Sequence, residues 1–404
     1  MTNVRNDLDN GSVIEGFCAP EFSQVADAFR INFEHDGEVG ASVCVIQDGE
    51  RVVDLWGGWA EKNKPWQQDT ISLVYSCTKG ATAMCLHKLV EQGLISYDTK
   101  VADIWPEFAT GGKEATTVAM MLSHASPVPH LREPMGQGRI VDWDYMVGRV
   151  AAEEAFWEPG TKQGYHALTY AWTVGNLVRL VSGKPLRQYF AENFAIPLGL
   201  DFHIGLPAHH EPRVAPMIAP SPAEANFESP FLQAAMNEPG SLPQLFLAAQ
   251  SEANFNSPEV HAAEIGSANG ITNARGLARL YSPMATGGEG LISANTILRM
   301  SRVVAATLND AVLRQPMRFS LGFMLSNDNR ATGGDSLLIG ETAFGHVGMG
   351  GSLGFADPLA KIGFGYSMNR MGSGILVNSR GQRLVDAVYQ ELRWRGNESG
   401  AWQV

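Results

Sequence analysis

Apolar residues fall at helical spacing through residues 20–34, where Val25, Ala28, Phe29, Ile31 and Phe33 share a face, and the period then changes. Residues 41–57 read as two β runs about Asp48-Gly49, a dipeptide suited to a tight hairpin turn. Near the other end, residues 353–357 and 361–368 form a second β pair about Asp357-Pro358. A helix over 380–394 follows, with Leu384, Ala387, Val388 and Leu392 on one side. Strands near both ends with helices outside them predict an α/β (α+β) fold, in which one antiparallel sheet flanked by helices is assembled from both termini. The middle is then an insertion. It reads as mainly helical, broken at Ser126-Pro127, Pro159-Gly160, Gly183-Lys184-Pro185 and Pro239-Gly240. The expected division is a discontinuous α/β domain of residues 1–109 and 270–404 around an inserted helical domain of residues 110–269. Within the insertion, residues 226–255 carry Phe227, Phe231, Met236, Leu242, Leu245, Phe246 and Phe255. Most of this run reads as core, and part of it could wall an apolar pocket.

Length and charge narrow the function. The 404 residues exceed one compact core, which suits two or three structural units. A net charge of −12 argues against nucleic acid or an anionic membrane surface as a partner. Cys18, Cys44, Cys77 and Cys85 form no C-x-x-C pair, so neither a disulfide scaffold nor a zinc cluster is expected. The first fifteen residues are polar, with Asp7, Asp9 and Glu15, and no stretch reaches 18 apolar residues. The expectation is a cytoplasmic protein.

The candidate chemistry begins at Ser76-Cys77-Thr78-Lys79. A β run ends at Tyr75, and Met84, Cys85, Leu86, Leu89 and Val90 then follow helical spacing to Gly93. With Ser76 in the first turn, Ser76 and Lys79 share a helix face with Cβ atoms roughly 5–6 Å apart. A serine hydroxyl is a weak nucleophile until a base takes its proton, and a lysine with a depressed pKa can be that base. The chain has nine lysines, and this is its only S-x-x-K pair. The competing reading is an N-cap serine followed by a solvated lysine, although a first-turn lysine opposes the helix dipole. A second candidate is Tyr165, which a Pro159-Gly160 turn and Gly164 expose on the way into a helix over 168–182, where a phenol could relay a proton. The third is residues 344–355, whose glycines imply backbone approached closely by another group and suit N–H groups facing a substrate oxyanion. That stretch also contains Gly350-Gly351-Ser352-Leu353-Gly354, a formal match to the nucleophile elbow G-x-S-x-G. An elbow runs from strand into helix and precedes its histidine; here another β run follows, and no histidine lies beyond His346. His203, His209 and His210, like His124 and His130, lack a metal-ligand spacing.

Taken in order, Ser76-Cys77-Thr78-Lys79, Tyr165-His166-Ala167 and His346-Val347-Gly348 with Met349-Gly350-Gly351 resemble the serine β-lactamase and penicillin-binding protein superfamily, above all family VIII carboxylesterases. The resemblance implies an acylated nucleophile, Ser76, with Lys79 and Tyr165 sharing the general-base role. It also implies an oxyanion hole from the Ser76 N–H and one N–H of a 348–352 strand. His346, Gly348, Met349 and Gly350 are the expected oxyanion and substrate-binding residues, with His346 or Met349 in the third-motif position. Two departures select among activities. Class C β-lactamases carry an amide-binding Asn where this chain has Ala167, and a cationic Lys where it has His346, which is mostly neutral at pH 7 unless perturbed. Both losses weaken recognition of a carboxylated amide and spare acyl-ester chemistry. The expected activity is therefore carboxylic ester hydrolysis on a small-molecule ester, without cofactor or metal. The rivals are a β-lactamase or D-alanyl-D-alanine peptidase, a small-amide hydrolase, an acyltransferase, or a module that only binds. An oligomer is possible, and nothing in the sequence specifies one.

Overall fold

The computed structural model describes residues 2–404. Its main sheet is antiparallel and draws strands from both ends of the chain: β1 (Thr2–Asp7), β2 (Val13–Cys18), β3 (Gly40–Gln47), β4 (Glu50–Glu61), β5 (Phe344–Val347), β6 (Leu353–Asp357) and β7 (Ile362–Met368). They lie in the order β1-β2-β4-β3-β7-β6-β5, and the short strand Lys64–Pro65 pairs off β4. The seam between the halves is β3 against β7, where Val45 faces Phe364 and Val43 faces Tyr366. Asp48 and Gly49 both take positive φ, 50° and 82°, and so close the β3–β4 hairpin in two residues.

Helices cover both faces, namely α1 (Ser23–His35), α2 (Cys77–Glu91), α4 (Ala274–Ala285) and α5 (Ser379–Glu391), while α3 (Tyr170–Ser182) packs on α2. The two-residue period of β7 decides what packs where. Gly363 and Gly365 face α4 so closely that a Cβ would stand 2.5 Å from the Ala278 carbonyl oxygen and 2.1 Å from that of Ala274. Phe364, between them, points to the other face and stacks on Phe355, which stacks on Tyr389 of α5. There α1 and α5 are tied by Asn32, which donates to the Arg380 carbonyl at 3.2 Å. The buried Glu38 and Arg380 pair at 2.9 Å beside them.

The antiparallel sheet flanked by helices and built from both ends is the fold class expected from the sequence. Two parts were not anticipated. β1 and β2 form a hairpin over residues read only as polar, because β1 is an edge strand with its side chains mostly in solvent and needs no apolar alternation. In the middle stretch, Phe202–His203 and Val214–Ala215 join Ile71–Leu73 and Ile271–Thr272 in a four-stranded sheet. Two-residue strands are too short to show a period. Among the described residues no helix is long and apolar enough to cross a membrane.

Candidate active site

The chain reaches α2 through a strained residue. Tyr75 follows the strand Ile71–Leu73 with φ of 41°, a region costly for a bulky side chain. Its neighbours hold it there. The ring packs 5.6 Å from that of Phe255, the phenol contacts Met371 Sδ at 3.7 Å, and the Tyr75 carbonyl accepts from Thr78 Oγ1 at 2.5 Å. The result is that Ser76 caps α2 without using its hydroxyl for the cap. An N-cap serine ordinarily spends that oxygen on a helix N–H. Here Oγ lies 3.0 Å from Lys79 Nζ.

Lys79 is fully buried, and burial, opposed weakly by Cys77, drives its pKa well below that of a free lysine. Its other two contacts are the carbonyl oxygens of Ala167 at 2.8 Å and Ser267 at 2.9 Å. A carbonyl can only accept, so these two consume both hydrogens of a neutral amine and leave its lone pair directed at the Ser76 hydroxyl. A neutral amine placed in this way can accept the Ser76 proton. Tyr165, expected from the turns before it to be exposed, is buried instead; it stands over the same amine, with Nζ 4.8 Å from its ring centroid and its phenol beside Ser76. Burial pushes the phenol's pKa upward, and the bond to Ser76 pulls the other way. The phenol therefore keeps its proton.

His346 lies on β5 with its ring 6.1 Å from that of Tyr165. Its Nδ1 faces the Val347 carbonyl at 2.8 Å, which requires a proton on that nitrogen and leaves Nε2 bare. Nε2 is buried without a partner. Burial, then the neighbouring Lys79, lowers the pKa to about 3, so His346 supplies no positive charge at neutral pH. Of the two residues considered for the third-motif position, it is His346 whose ring stands beside Tyr165.

Residues 348–352 are not the strand the sequence suggested. β5 ends at Val347 and β6 begins at Leu353. Between them the Gly348 N–H donates to the Ser352 carbonyl at 2.7 Å, and Gly350 and Gly351 turn the chain with φ of 89° and 121°. The close approaches implied by the glycines are made by the protein itself. A Cβ on Gly348 would lie 2.2 Å from the Val74 carbonyl oxygen, and Gly350 and Gly351 abut Met371 and Asn378. The turn is thereby pressed against the chain just before Ser76. The main-chain N–H groups of Ser76 and Met349 have no backbone acceptor among the described residues. Ser352 is fully buried and donates to the Val74 carbonyl at 3.0 Å. Cys77 is buried too, its thiol on the His346 carbonyl at 3.1 Å.

Met349 also lines an apolar cavity of about 300 Å³ whose walls include Phe231, Phe246, Leu313, Met371 and Ile375. Phe231 and Phe246 belong to the aromatic run noted in the sequence, while Phe227 and Met236 of that run are exposed and belong to no core. Sequence reasoning missed Tyr75, Ser267, Asp310 and Met371. A positive-φ tyrosine and a lysine-binding carbonyl carry no residue-type signal. Asp310 contacts Tyr165 across 145 residues, its carboxylate accepting the Tyr165 N–H at 3.1 Å.

The family model described as Beta-lactamase matches residues 26–388. The chain is 34% identical over 384 residues to "Esterase/beta-lactamase LipL" of Mycobacterium tuberculosis, covering 91% of this chain and 86% of that protein. Its fold is similar to the crystal structure of a family VIII carboxylesterase, with 40% identity and a TM-score of 0.82 over 94% of this chain and 99% of that one. A penicillin-binding protein homologue from Caulobacter crescentus is similar at 33% identity and a TM-score of 0.81, over 94% and 99% of the two chains.

Proposed function

The chain belongs to the beta-lactamase family, and from that premise we propose that it hydrolyses carboxylic esters through an acyl-enzyme on Ser76. The observation that carries the proposal is the buried Lys79 amine, whose Nζ lies 3.0 Å from Ser76 Oγ and 2.8 and 2.9 Å from two carbonyl oxygens able to hold both hydrogens of its neutral form. Lys79 takes the Ser76 proton as Oγ bonds to the ester carbon, and the carbonyl electron pair moves onto oxygen. The N–H groups of Ser76 and Met349 are the donors assigned to that oxyanion. As the tetrahedral centre collapses, the carbon–alkoxide bond breaks and Tyr165 gives its phenolic proton to the leaving oxygen, recovering one from Lys79. Water then enters by the same path in reverse, and the acid leaves.

Esters are favoured over lactams because of what surrounds the nucleophile. Ala167 offers its carbonyl to Lys79 and has no side-chain polar atom for a substrate amide. His346 is neutral and offers no fixed charge for a substrate carboxylate. The cavity beside Met349 is apolar and, at about 300 Å³, small, which supports short or compact apolar groups on the ester. Sequence kinship to a protein named both esterase and beta-lactamase supports a slow second activity on activated amides. The test compares a short-chain p-nitrophenyl ester with a chromogenic cephalosporin. The expected kcat/KM for the ester exceeds that for lactam-ring opening by at least about 10²-fold, roughly 3 kcal/mol of transition-state discrimination. Equal efficiencies would return the protein to the lactamases.

A further inference from the structure

Three consecutive main-chain N–H groups carry Tyr165 to the nucleophile, and each is tied down. Gly164 donates to the His124 carbonyl at 3.1 Å, and His166 donates to His124 Nδ1 at 3.1 Å. The third, that of Tyr165 itself, donates to Oδ1 of Asp310 at 3.1 Å. The same Oδ1 accepts from Val312 and Leu313, both at 2.9 Å, so one oxygen builds the 310–313 turn and reaches back to the tyrosine. A second stitch runs beside it, from the Ala311 N–H to the Gln163 carbonyl at 2.9 Å.

This carboxyl is placed at a cost. Asp310 is fully buried, its Oδ2 has no partner, and no ion pair reaches it among the described residues. Arg314, four residues on, pairs with Glu238 instead. Burial without a countercharge lifts its pKa to about 6. A turn alone is served by the bonds to Val312 and Leu313, so the long-range bond to Tyr165 is the feature left to explain.

We propose that Asp310 is a positioning residue for Tyr165: by fixing the tyrosine main chain it keeps the phenol beside Ser76 while the ring packs against His124 and Phe319. The inference rests on the proposed roles of Ser76 and Tyr165. It is tested by the rate at which a fluorophosphonate labels Ser76, which reports nucleophile activation without requiring the natural substrate. Asp310→Ala should slow labelling at least about tenfold, and Asp310→Asn, which keeps an acceptor oxygen, should stay within about threefold of the parent. In a Tyr165→Phe background, Asp310→Ala should have less than about a twofold further effect, because the residue acts through the phenol. On a p-nitrophenyl ester the loss should appear in kcat with KM little changed. If Asp310→Ala does not fold, Asp310→Ser, whose oxygen sits one bond closer to the main chain and falls short of Tyr165, takes its place in both backgrounds. Parent-like labelling of the variant, an equal slowing with and without the phenol, or a Tyr165→Phe protein that labels normally would each overturn the assignment. A parent protein that labels at Ser76 yet leaves esters intact would refute the ester reading alone.

Discussion

Ser76 and Ser352 both lie against the chain that leads into α2, and their hydroxyls are used in opposite ways. Ser352 is fully buried and spends its proton on the Val74 carbonyl, whereas Ser76 forgoes the helix cap and faces an amine. Ser76→Ala should therefore lower kcat on an ester by at least about 10³-fold with the fold intact, while Ser352→Ala stays within about tenfold. Mass spectrometry of the fluorophosphonate-labelled peptide distinguishes them, and label on Ser352 would sink the assignment. Lys79→Ala and Tyr165→Phe should each cost about 10²–10⁴ in kcat, and together less than the product, since they serve one proton path. Protonation sets the acid limb. As pH falls through the depressed pKa of Lys79, the amine gains a proton, the lone pair facing Ser76 is lost and turnover drops. His346, with a pKa of about 3, should not control that limb, so His346→Gln should leave its midpoint in place in a kcat–pH profile. The side chains of this proposed site were legible in the sequence because the chemistry needs those residue types. Its carbonyls were not. Ala167 was read as a missing amide binder, yet its main-chain oxygen takes one of the two Lys79 hydrogens, and any residue there could have supplied it.

Strands and helices with a long apolar period were readable for the same reason that isolated carbonyls were not: burial selects residue types over many positions. The β3–β4 and β6–β7 hairpins, α1 and α5 all fall close to their expected places. Elements that bury little escape that signal, as the edge strand β1 and the two-residue strands 202–203 and 214–215 do. The glycines of 345–354 were legible as close approach, and only the approaching partner was misread. A two-residue period cannot distinguish a ligand from Val74, Met371 or Tyr281 of the protein itself. This gives the β5–β6 turn a testable role. An alanine at Gly348 would bring its Cβ to 2.2 Å from the Val74 carbonyl and 2.1 Å from Ser352 Oγ, neither of which is free to retreat. Gly348→Ala should push the turn from Ser76 and reduce kcat/KM about 10²-fold, the scale of a displaced oxyanion donor. Gly49→Ala, in a hairpin turn with nothing within 4 Å of its Cβ, should leave turnover unchanged and lower only stability, through its φ of 82°. A Gly348→Ala protein with parent kinetics would remove the turn from the oxyanion site.

At the scale of the whole molecule, β5 and the helices packed on α2 keep a lysine dry, and that has a measurable cost to folding. In the unfolded chain a lysine is charged at any pH below about 10.4. In the fold, burial holds Lys79 neutral until the pH falls to its much lower pKa. Between those limits the unfolded state binds one more proton than the native state, so this residue's contribution to unfolding free energy rises with pH, by about 1.4 kcal/mol per pH unit. Lys79→Met fills nearly the same volume and removes the titration. It also strands the carbonyls of Ala167 and Ser267, a loss of about 1–3 kcal/mol each that is independent of pH. The sign at any one pH is therefore set by two opposing effects, and the informative quantity is the slope. Relative to the parent, the Met variant should gain stability as the pH falls from 9 to 7, by about 1.4 kcal/mol per unit over the part of that range in which folded Lys79 stays neutral. Urea unfolding at the two values measures it. A stability difference that does not change between them would mean that Lys79 is charged in the folded protein, and a charged Lys79 has no lone pair with which to take the proton of Ser76.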